Sequence, residues 1–241
     1  MPKLIVANWK LNPTTEKEAV WLARAVDTKG VVLCPPFPFL AAVKGHVKKG
    51  ALGAQDVFWE GSGAYTGEVS GEMLHELGAK YAIVGHSERR MHLGETDEMV
   101  GKKCAAALRA KITPILCVGE PLAVRRKGTA AVLHYVRRQL AAAARYIPKN
   151  LRRSIVVAYE PIWAIGTGIP CHVFEAERMV KVCAAFLVLK EKFRSVHGLY
   201  GGSVNGQNAK SYLDAEYIDG LLVGGASLRA EEFKKIVAAG R

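Results

Sequence analysis

Residues 155–160 read Ile155-Val156-Val157-Ala158-Tyr159-Glu160, and Pro161-Ile162-Trp163-Ala164 follows at once. Three β-branched residues stand in a row with no polar residue alternating among them. A strand covered on both faces, as in a parallel sheet, reads this way. Glu160 ends the run. A carboxylate at the end of an apolar strand is costly to bury unless it is used or paired, and nothing local in the sequence pairs with it.

Seven more short apolar runs flank this one: Leu4–Ala7, Val31–Cys34, Leu52–Ala54, Tyr81–Val84, Pro114–Val118, Gly198–Tyr200 and Leu221–Val223. Their starts recur about every 31 residues, a spacing that suits βα units. Helical periodicity fills the gaps. Residues 15–27 put Ala19, Leu22, Ala23 and Val26 on one stripe, and Thr96 is placed to cap a helix over 96–110. Longer amphipathic stretches cover 129–146 and 173–193, shorter ones 71–78, 205–214 and 230–239. Eight units in 241 residues match a (β/α)8 barrel. A doubly wound sheet is the competing arrangement, but the chain has no second domain and no GxGxxG loop. No linker or composition break divides it, so residues 1–241 read as one domain.

Composition narrows the function classes. Half of the residues are apolar and 23% are charged, as in a folded globular chain. No apolar stretch reaches the roughly 20 residues of a membrane helix, and Leu4–Ala7 is too short for a signal-peptide core. Five cysteines with no CxxC pair read as reduced core thiols. Seven histidines form neither HExxH nor a Cys/His cluster, so no zinc site is expected. A net charge of +12 raises anionic partners: nucleic acid, an acidic membrane or a phosphorylated small molecule.

In a barrel the chemistry belongs just after the strand C-termini. Lys10, in Asn8-Trp9-Lys10-Leu11-Asn12, supplies a compact cation there; alone it reads equally as a solvated lysine. His86, in Gly85-His86-Ser87-Glu88-Arg89-Arg90, precedes a helical turn whose positive end favours a neutral imidazole; a structural histidine bonded to backbone is the alternative. Glu160 under an apolar cover is suited to a general base. Ala164-Ile165-Gly166-Thr167-Gly168 combines glycine freedom with Pro-Ile-Trp stiffness, as a moving lid would. Gly201-Gly202-Ser203 and Gly224-Gly225 follow the last two strands, where barrels hold phosphate on backbone N–H groups. One base, one neutral electrophile and a phosphate cradle fit proton abstraction α to a carbonyl.

These blocks, with Ala7-Asn8-Trp9-Lys10, Gly53-Ala54-Gln55-Asp56, Tyr65-Thr66-Gly67-Glu68, Cys117-Val118-Gly119-Glu120 and Gly224-Gly225-Ala226-Ser227-Leu228, occur in the order of the triosephosphate isomerase family, which the chain resembles along nearly its whole length. The resemblance implies a TIM barrel that interconverts D-glyceraldehyde 3-phosphate and dihydroxyacetone phosphate through an enediolate. It places the chain in glycolysis and gluconeogenesis, in the cytoplasm, with no cofactor and no metal. It assigns Glu160 as the base, His86 as the electrophile, and Lys10 with Asn8 as the groups facing the enediolate. Backbone amides of Gly166, Ser203, Gly224 and Gly225 would hold the phosphate, residues 161–168 would form the lid, and Glu95 would be a buried acid behind the site. It also implies a homodimer in which the loop Phe58–Glu72, with Thr66 near its tip, enters the neighbour. Three departures stand out: Ile169-Pro170-Cys171-His172 after the lid in place of a lysine and small polar residues, Gly71 where a proline is common, and a slightly short chain.

Two other readings carry less of the sequence. A Schiff-base aldolase needs a desolvated lysine on an inner strand, and Lys10 is the only strand-end lysine. A nucleic-acid binder needs aromatic platforms on a basic face. Residues 121–153 hold nine basic side chains and no acid, so they account for nine of the twelve excess charges, yet they offer only Tyr135 and Tyr146. That stretch reads as the solvated face of one outer helix, with Arg137 and Arg138 at its centre. No nucleic acid or membrane partner is expected.

Overall fold

The computed structural model describes residues 3–165 and 170–241. Eight parallel strands close into a barrel in sequence order: β1 (Leu4–Asn8), β2 (Val31–Cys34), β3 (Ala51–Ala54), β4 (Tyr81–Val84), β5 (Thr113–Val118), β6 (Ser154–Tyr159), β7 (Ser195–Tyr200) and β8 (Gly220–Val223). Pairing of Ile5 with Val31 on one side and with Leu221 on the other completes the ring. The helices are α1 (Glu16–Val26), α2 (Leu40–Lys44), α3 (Gly71–Glu76), α4 (Ser87–His92), α5 (Asp97–Arg109), α6 (Leu122–Arg125), α7 (Thr129–Arg145), α8 (Val173–Leu189), α9 (Ala209–Leu213) and α10 (Ala230–Ala238). The eight apolar runs are the eight strands, and the competing doubly wound sheet is excluded by the closure.

Alternation explains the double burial. One set of strand side chains, including Val6, Val32, Ile83, Ile115, Val156, Leu199 and Leu222, fills the barrel interior. The other set packs against the helices in a second, larger core. Both sets are apolar, so the strands carry no polar–apolar alternation. β7 starts three residues earlier than its apolar run, because Ser195, Val196 and His197 lie at the more open N-terminal mouth and are only half-buried.

The outer helices follow their stripes. Thr15 caps α1 by accepting the Glu18 N–H at 3.3 Å, and Ala19, Leu22, Ala23 and Val26 are its buried face. Thr96 caps α5 through the Met99 N–H at 3.2 Å, as its position predicts. Helices α2, α4 and α6 have four to six residues each and are too short to show a period in the sequence. All five cysteines are buried and unpaired. No helix among the described residues is long and apolar enough to cross a membrane.

Candidate active site

The strand C-termini surround a cavity of about 570 Å³. Asn8, Lys10, His86, Glu160, Ser203, Gly224 and Gly225 all line it, together with Gly201, Gly202 and Arg229. Five different βα connections thus meet at one mouth.

Glu160 is 1% exposed. Its backbone N–H bonds to Val118 O at 2.8 Å, extending the β5–β6 ladder by one step and fixing where its side chain starts. Oε2 accepts the Ser87 N–H at 3.0 Å. Oε1 lies 3.1 Å from His86 Nε2 but has no aligned hydrogen-bond donor among the described residues. The carboxylate is therefore anchored by one oxygen, while the other keeps its lone pairs for a ligand.

His86 is the N-cap of α4, and its Nδ1 accepts the Glu88 N–H at 3.3 Å. That bond assigns the ring proton of the neutral imidazole to Nε2, which faces Glu160. A protonated ring could not accept at Nδ1 and would sit against the positive end of α4.

Lys10 adopts a left-handed conformation, φ 55°. Such a backbone is unfavourable for a residue with a Cβ, and two side chains hold it. The Lys10 N–H donates to Asn8 Oδ1 at 3.0 Å, and Gln55 Nε2 donates to the Lys10 carbonyl at 2.8 Å. The ammonium group pairs with Glu88, whose other oxygen is 3.6 Å from His86 Nδ1. Glu88 thus reaches both electrophilic groups, Lys10 through its carboxylate and His86 through its backbone N–H. It was visible in the sequence only as a member of the block after β4, since its partner Lys10 is 78 residues away.

Ser203 Oγ donates to Ala164 O at 2.7 Å, tying the loop after β7 to the segment after Glu160. Gly224 and Gly225 open a short 3-10 turn, Gly225–Leu228, where Ser227 Oγ donates to Gly224 O at 2.7 Å. Gly166 and the remainder of the expected lid through Gly168, with Ile169, lie outside the described residues.

Glu95 does not line the cavity. It is buried behind α4 and pairs with Arg89 at 2.5 Å and with Lys103. Asp56 completes the cluster, 2.8 Å from Arg89 and 2.7 Å from Lys103. Burial pushes the Asp56 carboxyl up to about 6 against the pull of Lys103. Burial also works on Glu95, but Lys103 and Arg89 outweigh it and hold that carboxyl below the usual range. Sequence reasoning missed Asp56 and Lys103. The available signal was Lys103 among the apolar positions of α5, where a lysine requires a carboxylate partner.

Glu120 was also missed. It is fully buried and accepts the Tyr159 hydroxyl at 3.0 Å and Trp163 Nε1 at 2.8 Å. It therefore holds the residues on both sides of Glu160. Burial raises its carboxyl despite these two donors.

Thr66 is exposed in the loop after β3 and is not among the residues lining the cavity. That loop is closed at its base by pairing of Phe58 with Ser70. Trp59 and Tyr65 both pack against Phe58, with ring centroids 4.1 and 4.9 Å apart, and Val69 packs on the core. Phe58 and Val69 thus anchor the loop to the body of the barrel, while Tyr65 stays exposed. Among the described residues no group of three His, Cys, Asp or Glu side chains is arranged to hold a metal ion.

A chain-length family model, Triosephosphate isomerase, matches residues 3–240. The chain is 46% identical to the triosephosphate isomerase of Paracidovorax citrulli, with 98% of each chain covered. It is 45% identical to that of Thermoanaerobacter pseudethanolicus, over 97% of this chain and 98% of the relative. It is 44% identical to that of Moorella thermoacetica, over 97% of both. With the closed barrel and the residues around its mouth, these likenesses establish that the chain belongs to the triosephosphate isomerase family.

Proposed function

We infer that this chain interconverts D-glyceraldehyde 3-phosphate and dihydroxyacetone phosphate, a step of glycolysis and gluconeogenesis. The observation that carries the reading is the pair at the cavity floor: a desolvated carboxylate with one uncommitted oxygen, 3.1 Å from a histidine Nε2. Family membership over almost the whole chain supports the same assignment.

Aldose and ketose are isomers, so the reaction moves one proton between two carbons and one between their oxygens, with no net gain or loss. Glu160 Oε1 takes a proton from the carbon next to the carbonyl. The electron pair of that C–H bond becomes the C=C bond of an enediolate, and charge develops on the carbonyl oxygen. His86 Nε2–H donates to that oxygen as a neutral imidazole, and the Lys10 ammonium faces the growing negative charge. Glu160 then returns the proton to the former carbonyl carbon, while the hydroxyl proton on the adjacent carbon passes to the former carbonyl oxygen by way of His86 Nε2, so that one C=O forms as the other is lost. Asn8 and Gln55 act indirectly, by holding Lys10 in its left-handed backbone. Ser203, Gly224 and Gly225, which line the same cavity, receive the phosphate. Glu95 acts from behind, by fixing Arg89 and so the helix that His86 begins.

The reading includes a cytoplasmic homodimer built around residues 58–72. Leu11, Tyr65, Met73, Met91 and Leu93 are all exposed, and Leu11 is 89% so. They sit after β1, β3 and β4, on one side of the barrel rim, a distribution that favours a second copy as cover. Sedimentation at micromolar concentration should give a dimer; a stable, fully active monomer overturns this part.

A coupled assay with dihydroxyacetone phosphate tests the activity. The parent protein should turn over. Glu160→Gln should lose more than about a hundredfold, the usual worth of a general base, while inorganic phosphate binding stays within roughly tenfold. Near-parent turnover in that variant defeats the assignment.

A further inference from the structure

Cys171 precedes α8, and its backbone N–H and C=O are each held by a tyrosine from a different element. Its N–H donates to the Tyr200 hydroxyl at 3.1 Å. Its carbonyl accepts the Tyr212 hydroxyl at 2.5 Å. Tyr200 ends β7 and Tyr212 lies in α9, and their rings stack with centroids 4.3 Å apart and planes 16° apart. All three residues are buried, at 0–2% exposure. The Tyr200 hydroxyl also sits over the cavity wall. A Cβ on Gly202 would come within 2.1 Å of it, so only glycine fits there.

We infer that Tyr212 is a positioning residue for the phosphate end of the cavity: its ring and hydroxyl keep Tyr200 both on the Cys171 amide and against Gly202. Covalent proximity carries the effect. Tyr200 is followed directly by Gly201, Gly202 and Ser203, which line the cavity. Ser203 in turn donates to Ala164 O, in the segment that follows Glu160. A change in the Tyr200 hydroxyl therefore passes within two residues to the wall that receives phosphate. Tyr212 touches neither substrate nor reacting atoms; it acts through Tyr200 and Cys171. Aromatic stacking adds to the area the pair buries, and the two hydrogen bonds stop the pair from sliding.

This inference rests on the isomerase reading for one of its readouts only. The variant is Tyr212→Phe, which keeps the stacked ring and removes the hydroxyl. Three quantities are measured on the full chain: steady-state kinetics with D-glyceraldehyde 3-phosphate, binding of inorganic phosphate, and the rate at which Cys171 reacts with a thiol reagent, read by peptide mass. Loss of one hydrogen bond should raise KM and weaken phosphate about threefold to tenfold, with kcat within about twofold. Cys171 should react at least about tenfold faster, while Cys34, Cys104, Cys117 and Cys183 keep the parent rate. Tyr212→Leu, which also removes the stack, should extend both changes. A merely structural role would lower the active fraction and the melting temperature and leave KM and the labelling pattern alone; that result overturns the inference. If the parent protein does not isomerise triose phosphates, the isomerase reading fails on its own. Phosphate binding and Cys171 labelling then still decide the role of Tyr212, and parent-like values in both overturn it.

Discussion

The carboxylate of Glu160 is tied by Oε2 to the backbone N–H of Ser87, 3.0 Å away and 73 residues distant in sequence. Ser87 is the first residue of α4, and His86 caps the same helix. One short helix therefore sets both the resting place of the base and the tautomer of the electrophile. It does so with backbone N–H groups, which no substitution other than proline removes.

Lys10→Ala should raise KM and lower kcat together, because the ammonium attracts a bound anion and its enediolate alike. An unchanged KM in initial-rate measurements would argue against its charge role. Lys10→Gly should be more stable to urea than Lys10→Ala, by up to about 1 kcal/mol, since glycine accepts the φ of 55° without strain.

Gly119→Ala should disrupt the site even though residue 119 bears no functional group. An added Cβ would fall 1.7 Å from the Glu160 carbonyl oxygen, and both sides of that contact are backbone. We expect a loss of about 3 kcal/mol or more in stability, or no soluble protein. Parent-like melting and turnover would show that the two loops can separate freely.

Lys103→Met should destabilise by about 3–5 kcal/mol in urea melts. Lys103 is 2% exposed and binds Asp56 and Glu95, so its removal leaves two buried carboxylates with Arg89 as their remaining cation. Adding Asp56→Asn should recover part of the loss. A deficit that the second change deepens would rule out charge imbalance as the cause.

Asp27 sets an acid-side stability limit away from the site. Its carboxylate accepts the backbone N–H groups of Lys48, Lys49 and Gly50 at 2.8–3.1 Å, joining the end of α1 to the start of β3. Partial burial opposes ionisation, but these donors prevail and hold the carboxyl below its ordinary 3.8. Its contribution is whole above the unfolded-chain value and is lost as pH falls through the lower folded value. Asp27→Asn should cost about 1 kcal/mol near pH 7 and progressively less at acid pH. A deficit that does not shrink on acidification would place the effect elsewhere.

Strand positions were legible because a barrel strand is apolar on both faces, and that signature needs no partner to be read. Val31–Cys34 and Tyr81–Val84 are strands at the residues their apolar runs mark. The short helix α4 was not legible as a full element, since six residues cannot display a 3.6-residue period. Glu160, His86 and Lys10 stood out because each is a polar residue at the end of an apolar run. Glu88, Glu120, Asp56 and Lys103 did not, because what distinguishes them is the partner each one meets across the fold.

The excess positive charge divides along the same line. The sequence alone locates nine of the basic residues in 121–153 without one acid. The structure places Arg137 and Arg138 on the exposed face of α7, while Arg125 and Arg152 turn to Glu175 and Glu191. Residue types and their spacing thus determined the barrel, its order and the identity of the groups at its mouth, because local apolar patterning and chain connectivity suffice for these. Only the tertiary structure decided which oxygen of Glu160 is free, which nitrogen of His86 bears the proton, and which tyrosine stands behind Tyr200. Those depend on hydrogen bonds of about 3 Å between residues far apart in the chain, and no local pattern encodes such a distance.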